Sequence, residues 1–182
     1  LTLFILMKKF SARPETLFLA MFAFLCFFAI WAFPPFANAD GNTQYYRAFQ
    51  IAQGGFICSQ NDIETASLPS NIVPVALTGE SALACIQRTL GDHIDFSTLS
   101  AYPIRGMAMY SPIAFLPSVF GIKIATAISS SSWLAIYLAR FANVICVGWI
   151  LYLSIKYIPY GKNLLIACSL LPMSLDVINS SS

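Results

Sequence analysis

Charged residues are scarce in this chain, and their scarcity argues against a water-soluble globular fold. Of the 182 residues, 10% are charged and 58% are hydrophobic, whereas a soluble domain carries roughly 25% charged residues. So few charges leave too little polar surface to face water on every side. Much of the chain is therefore expected to face lipid.

The chain also lacks the residue clusters that carry metal, cofactor or nucleic-acid chemistry. His93 is the only histidine, and its setting, Gly-Asp-His-Ile-Asp, indicates a solvated loop residue and not a metal ligand. No Ser-His-Asp, Cys-His or glycine-rich phosphate motif occurs at a usable spacing, so neither a metal nor a cofactor is predicted. No Lys/Arg-rich run with interleaved aromatics is present, which makes nucleic acid an unexpected partner.

Three long apolar runs predict membrane-spanning helices over 17–36, 133–155 and 164–182. Each approaches the ~20 residues that cross roughly 30 Å of hydrocarbon. A shorter apolar run, 113–128, is predicted to lie at the interface as a helix. The expected fold is all-α: a polytopic membrane protein with about three transmembrane helices, a long outer loop and short interfacial helices.

Positive charge predicts the topology. Three basic residues precede the first run and two flank the turn at 156–163, so the positive-inside rule places 1–16 and that turn in the cytoplasm. The loop 37–132, with interfacial helices near 42–53 and 113–128, then lies on the outer side. The basic residues are Lys8, Lys9, Arg13, Lys156 and Lys162.

The N-terminal run has a second interpretation. Residues 1–6 are set aside because Met7-Lys8-Lys9 resembles a translation start. The sequence Ala37-Asn-Ala fits a cleavage site, so a cleaved signal peptide is the alternative to a retained helix. The run is longer than the usual ~7–15 residue core of a signal peptide, which favours retention.

The predicted outer loop contains one amphipathic segment and two cysteines. Tyr45, Phe49 and Ala52 follow a helical stripe ahead of Gly54-Gly55, with Asp40 to Asn42 as a possible helix start. Cys58 and Cys85 can form a disulfide in an exported compartment, and two unpaired thiols are the alternative.

Two charges fall inside the predicted spans. Arg140 lies roughly 10 Å below the outer end of the second run, and Asp176 lies at a similar depth in the third. Since an intramembrane arginine needs a partner, we expect the two to pair or to share a polar cavity. Snorkelling of Arg140 to the outer headgroups is the alternative.

Four segments, taken together and in order, resemble one family. They are DGNTQYYRAFQIAQG from Asp40, MYSPIAFLPSVFGI from Met109, YLARFAN from Tyr137, and LLPM from Leu170. The chain thereby resembles the N-terminal portion of the bacterial membrane proteins catalogued as domain of unknown function 2142. That family is similar to the C-type glycosyltransferases, multi-span enzymes that take sugars from polyprenyl-phosphate carriers.

The resemblance implies a function and site residues. Asp40 would be the general base that deprotonates an acceptor hydroxyl, and Arg47, Arg140 and Tyr110 would bind the lipid phosphate. The implied partners are membrane lipid, a polyprenyl-phosphate-sugar donor and a glycan acceptor, in envelope polysaccharide assembly. The implied location is the bacterial inner membrane.

The sequence departs from the family pattern beside Asp40. Gly41 and Gln44 stand where the family commonly has a glutamate and a histidine, which weakens both base catalysis and metal binding. The chain also ends within or just past its third run, so it is expected to be part of a longer protein and inactive alone. A plain helix N-cap at Asp40, a non-catalytic subunit or lipid carrier, and an exported binding module are the alternatives.

Overall fold

The computed structural model describes residues 14–32, 41–56, 65–72, 93–104, 106–171 and 174–175. Helices account for 71% of these residues, which confirms the predicted predominance of helix. The all-α prediction is nevertheless wrong in one respect, because a two-stranded antiparallel sheet is present.

The described elements comprise five α-helices, two β-strands and two short 3-10 helices. Helix α1 comes first, then α2, strands β1 and β2, two short 3-10 helices, and helices α3, α4 and α5. Their bounds are α1 Pro14–Ala32, α2 Gly41–Ala52, β1 Thr65–Ser70, β2 Asp95–Pro103, the 3-10 helices Met107–Met109 and Pro112–Phe115, α3 Leu116–Ile128, α4 Ser132–Tyr157, and α5 Lys162–Ser169.

Two of the described helices, α1 and α4, are long and apolar enough to cross a membrane. At 1.5 Å per residue they measure about 28 Å and about 39 Å, against roughly 30 Å of hydrocarbon. Helix α5 has 8 residues and ends at Ser169. Beyond it, the predicted third run is described only at 170–171 and 174–175.

Two serine hydroxyls, one in α4 and one in α5, donate to carbonyls of their own helix. The Ser154 hydroxyl donates to the Ile150 carbonyl at 2.8 Å, and the Ser169 hydroxyl donates to the Leu165 carbonyl at 2.5 Å. A bond to the carbonyl four residues earlier removes the need for water. These serines therefore suit a lipid-facing helix, where an unsatisfied polar group is costly.

Helices α3 and α4 form a tight hairpin. A Cβ placed on Gly121 would lie 2.6 Å from the Leu138 carbonyl carbon and 2.7 Å from the Ala139 Cα. Only a glycine allows the two backbones to approach so closely. Segment 112–128 thus packs along α4, and its position relative to the bilayer stays a prediction.

Helix α1 packs on another face of α4. A Cβ on Gly148 would lie 2.8 Å from Cε1 of Phe22, a ring that is itself buried. Phe18 and Cys26 are buried on the same helix. Helix α1 therefore packs along α4 from Phe18 to Cys26, and its retention in the mature protein stays a prediction.

The sheet lies in the stretch that the sequence predicts as loop. β1 pairs antiparallel with β2, from Thr65 opposite Pro103 to Pro69 opposite Leu99, with an irregularity between Pro69 and Ser70. Neither strand has a recognisable sequence pattern, for two physical reasons. A proline interrupts β1, and nearly all of β2 is exposed, so no alternation of polar and apolar residues marks it.

The sheet and helix α2 are joined to the start of α4. The Ser132 hydroxyl donates to the Asn71 carbonyl at 2.5 Å, and His93 forms an isolated bridge with Ser131. Helix α2 packs against β1 and α3, and its Tyr45 and Phe49 are fully buried. A compact cap of α2, β1 and β2 therefore covers one end of the helical hairpin.

Candidate functional site

The buried arginine of α4 joins the two candidate spans. Arg140 is 1% exposed, and its Nη1 donates a 3.2 Å hydrogen bond to the Ile30 carbonyl of α1. In a helix that carbonyl would accept from the residue four positions later, which is Pro34, and a proline has no N–H to donate. Arg140 therefore satisfies an acceptor that the sequence of α1 leaves open.

An aromatic cluster surrounds this junction. The Tyr137 ring lies 5.3 Å from the Trp31 ring and 5.0 Å from the Trp133 ring, centroid to centroid. The Arg140 Cζ lies 5.8 Å from the centroid of Tyr137, within reach of a cation–π interaction. Tryptophan and tyrosine at one level of a membrane helix are typical of the lipid–water interface.

The second candidate phosphate ligand, Arg47, is occupied inside the cap. It is 1% exposed. Its Nη1 donates to the Gly55 carbonyl at 3.0 Å and its Nη2 donates to the Phe56 carbonyl at 3.0 Å. Nη1 also donates to Oε1 of Gln50 at 2.6 Å. Arg47 therefore fixes the chain where it leaves α2, and its predicted contact with a lipid phosphate stays a prediction.

Helix α2 is a fixed platform that begins one residue after Asp40. Its first residue, Gly41, is buried, as is Thr43. Burial and the neighbouring Tyr46 and Tyr102 raise the pKa of Tyr45. Because burial disfavours the phenolate, this side of the helix is held neutral and dry.

Tyr110, the third candidate phosphate ligand, is accessible. It is 61% exposed and follows the 3-10 helix that begins after Gly106. Gly106 has φ +79°, a left-handed conformation that favours glycine. Met109 beside it is also exposed. The turn therefore presents a phenol and a thioether outward from the protein.

Four predicted site residues lie outside the described residues: Asp40, Asp176, Cys58 and Cys85. The catalytic base, the intramembrane pair and the disulfide therefore stay predictions. Within the described part of the chain, no three His, Cys, Asp or Glu residues are grouped to hold a metal. Cys146 and Cys168 are free thiols, and Cys26 is buried in α1.

Sequence reasoning missed one partner that the structure gives to Arg140, the carbonyl of Ile30. The predicted partner, Asp176, lies outside the described residues, whereas the described contact is to a backbone carbonyl, which every residue carries. A signal was nevertheless present, because Pro34 cannot donate to the carbonyl four residues before it, which is that of Ile30.

Long apolar helices and an aromatic cluster between α1 and α4 are typical of a membrane protein. Its sequence gives the family: residues 24–182 match the model of the family described as "Predicted membrane protein (DUF2142)", and the chain belongs to that family. No curated protein and no solved structure matches the chain.

Proposed function

We propose that this protein is, or forms part of, a glycosyltransferase-C-like enzyme of the bacterial inner membrane. It would transfer a sugar from a polyprenyl-phosphate donor in envelope polysaccharide assembly. The observation that supports this best is the platform formed by α2. The helix follows α1 closely in sequence, it is anchored at its far end by Arg47, and Asp40 precedes its buried first residue.

The proposed chemistry requires one proton acceptor and one leaving group. A hydroxyl oxygen of the acceptor attacks C1 of the donor sugar, and the bond between C1 and the phosphate oxygen breaks. Asp40 takes the hydroxyl proton, and polyprenyl phosphate leaves with the bonding electrons. The dipole of α2 favours the ionised carboxylate at this position, as a base requires.

The described residues differ in their access to the lipid phosphate. Tyr110 is exposed and can donate its phenol proton to a phosphate oxygen. Arg47 and Arg140 are both buried and donate to backbone carbonyls. We therefore assign these two arginines to positioning α2 and α1, and we assign the phosphate contact to Tyr110.

Asp40→Asn tests the proposal in proteoliposomes supplied with undecaprenyl-phosphoryl-glucose labelled in the sugar and with envelope polysaccharide as the acceptor. Incorporation of the label into the polysaccharide reports transfer. We expect a loss of at least 10²-fold, the usual contribution of a general base. The matched control is Asp95→Asn, on an exposed strand, at equal protein level. Unchanged turnover in Asp40→Asn would refute the role of Asp40.

A non-catalytic role is the second candidate. The observation that favours it is that both described buried arginines are already engaged with carbonyls, and the sequence has Gly41 and Gln44 in place of an acid and a histidine. A subunit or carrier would retain the labelled donor lipid without consuming it. Binding without turnover, unchanged in Asp40→Asn, would favour this alternative.

A further inference from the structure

An apolar groove runs between α3 and α4 on the surface of the hairpin. Its volume is about 700 Å³. Several of its large side chains are well exposed, with Phe120 65% and Ile145 69% accessible. Residues that line it include Leu116, Phe120, Ile124, Phe141, Ile145 and Cys146.

On the predicted topology, the groove lies beside α4 at the depth of the acyl chains. Its lining on α4 runs from Leu138 to Cys146, which is about 9 Å to about 21 Å from Ser132 at 1.5 Å per residue. A water-filled apolar channel at this depth is unfavourable, because neither wall offers hydrogen bonds. We therefore expect hydrocarbon to occupy the groove.

One end of the groove is charged. Among the described residues that line it, Lys123 is the single charged side chain, and no carboxylate faces it there. Gly121 lies against Leu138, so Lys123, two residues nearer the α3–α4 turn, sits toward the Ser132 end. The lysine therefore lies nearer the Ser132 end than most of the apolar lining does. A phospholipid in one leaflet has the same arrangement, with its phosphate above its acyl chain.

We propose that this groove binds an anionic glycerophospholipid, with one acyl chain between α3 and α4 and the phosphate on Lys123. The length of the lined segment of α4, roughly 12 Å, suits the upper part of one chain. A zwitterionic lipid would fill the groove but would bring a choline cation near Lys123. The site should therefore prefer an acidic headgroup, and this preference does not depend on sugar transfer.

Native mass spectrometry of the full chain tests the proposal. The protein is released from nanodiscs that contain equal amounts of phosphatidylglycerol and phosphatidylcholine, and retained lipids are counted by mass. We expect the unchanged chain to retain phosphatidylglycerol preferentially. Lys123→Gln should reduce that preference roughly fivefold, the effect of one lysine near a membrane surface. The matched control is Lys156→Gln, at the opposite end of α4, which should keep the preference.

A second variant tests the groove itself. Ala142 lines the groove, and Ala142→Phe should lower the number of retained lipids of both kinds. Ala167→Phe, the same change at an exposed position of α5, should not. Circular dichroism and gel filtration identify variants that fail to fold, and Lys123→Gln remains decisive in that event.

Three outcomes would overturn the proposal. The first is equal retention of the two lipids by the unchanged chain. The second is full retention by Ala142→Phe. The third is a lipid-free dimer, which would show that a second copy of the chain fills the groove.

Discussion

Nη1 of Arg140 donates a 3.2 Å hydrogen bond to the carbonyl of Ile30, and this bond links the two helices that are long enough to span a membrane. A buried cation bound to a carbonyl is stabilised by the charge–dipole interaction, and the carbonyl gains a donor that Pro34 cannot supply. The contact gives the buried guanidinium of Arg140 a backbone acceptor in α1.

Removal of this arginine should loosen α1 from α4. We expect Arg140→Ala to lower the free energy of unfolding by roughly 1.5–3 kcal/mol, the usual contribution of a hydrogen bond to a charged group. Reversible unfolding by SDS in mixed micelles measures the change. Lys156→Ala, at an exposed site on the same helix, should change it by less than about 0.5 kcal/mol. Equal losses in both variants would contradict the assignment.

The predicted pair of Arg140 and Asp176 calls for a double-mutant cycle. If the two side chains interact, the loss in Arg140→Ala plus Asp176→Ala should be smaller than the sum of the single losses, by about 0.5–3 kcal/mol. The same micelle assay gives all four values. Strict additivity would show that Arg140 relies on Ile30 and the aromatic cluster alone.

Gly121→Ala should disrupt the α3–α4 hairpin. The added methyl would meet the backbone at Leu138 and Ala139, which cannot rotate away, so we expect a loss of about 1–3 kcal/mol. Gly148→Ala should cost less, because the neighbour is a Phe22 ring atom. Phe22→Leu should then restore Gly148→Ala but not Gly121→Ala. Thermal unfolding in detergent compares the four variants.

Arg47 should stabilise the segment that follows the C-terminal end of α2. Arg47→Met keeps the aliphatic length but removes the bonds to the carbonyls of Gly55 and Phe56. We expect faster hydrogen exchange at the amides of 53–56, with the free energy of opening reduced by roughly 1.5–3 kcal/mol. Exchange at Ser154 in α4 is the internal control. Unchanged exchange at 53–56 would show that the guanidinium bonds are dispensable.

Tyr45 should make stability fall at alkaline pH. Its pKa is raised above the usual value of about 10 by burial. From pH 10 upward the unfolded chain loses the proton while the folded chain keeps it, so stability falls by about 1.4 kcal/mol per pH unit. The stabilisation is complete below pH 10. Between pH 8 and 11 the free energy of unfolding should fall less steeply with pH in Tyr45→Phe, where the buried Tyr46 still contributes. The slope should stay unchanged in Tyr110→Phe, a change at an exposed position.

Much of the helical framework could be predicted from apolar periodicity and length. The run 133–155 corresponds to α4, Ser132–Tyr157, and the segment near 42–53 corresponds to α2, Gly41–Ala52. Long apolar runs carry this information because the hydrocarbon thickness fixes the number of residues needed. The two strands were not predicted, because β1 contains a proline and β2 has no buried face that would require polar and apolar residues to alternate.

Only part of the candidate site could be predicted from the sequence. Tyr110 is exposed, whereas the guanidinium groups of Arg47 and Arg140 point to carbonyls within the protein. A sequence identifies a cation but not its acceptor, because backbone carbonyls are present at every residue and only the packed chain decides which of them lack a donor.

Composition alone determined that lipid is the main solvent of this chain, since too few charges exist to cover a water-facing surface. Tertiary structure alone decided which helices touch, where Gly121 and Gly148 set the spacing, and which acceptor receives the hydrogen bond of Arg140. The physical reason is range: hydropathy is a local property of a segment, whereas a helix contact joins residues such as Ile30 and Arg140 that lie 110 positions apart.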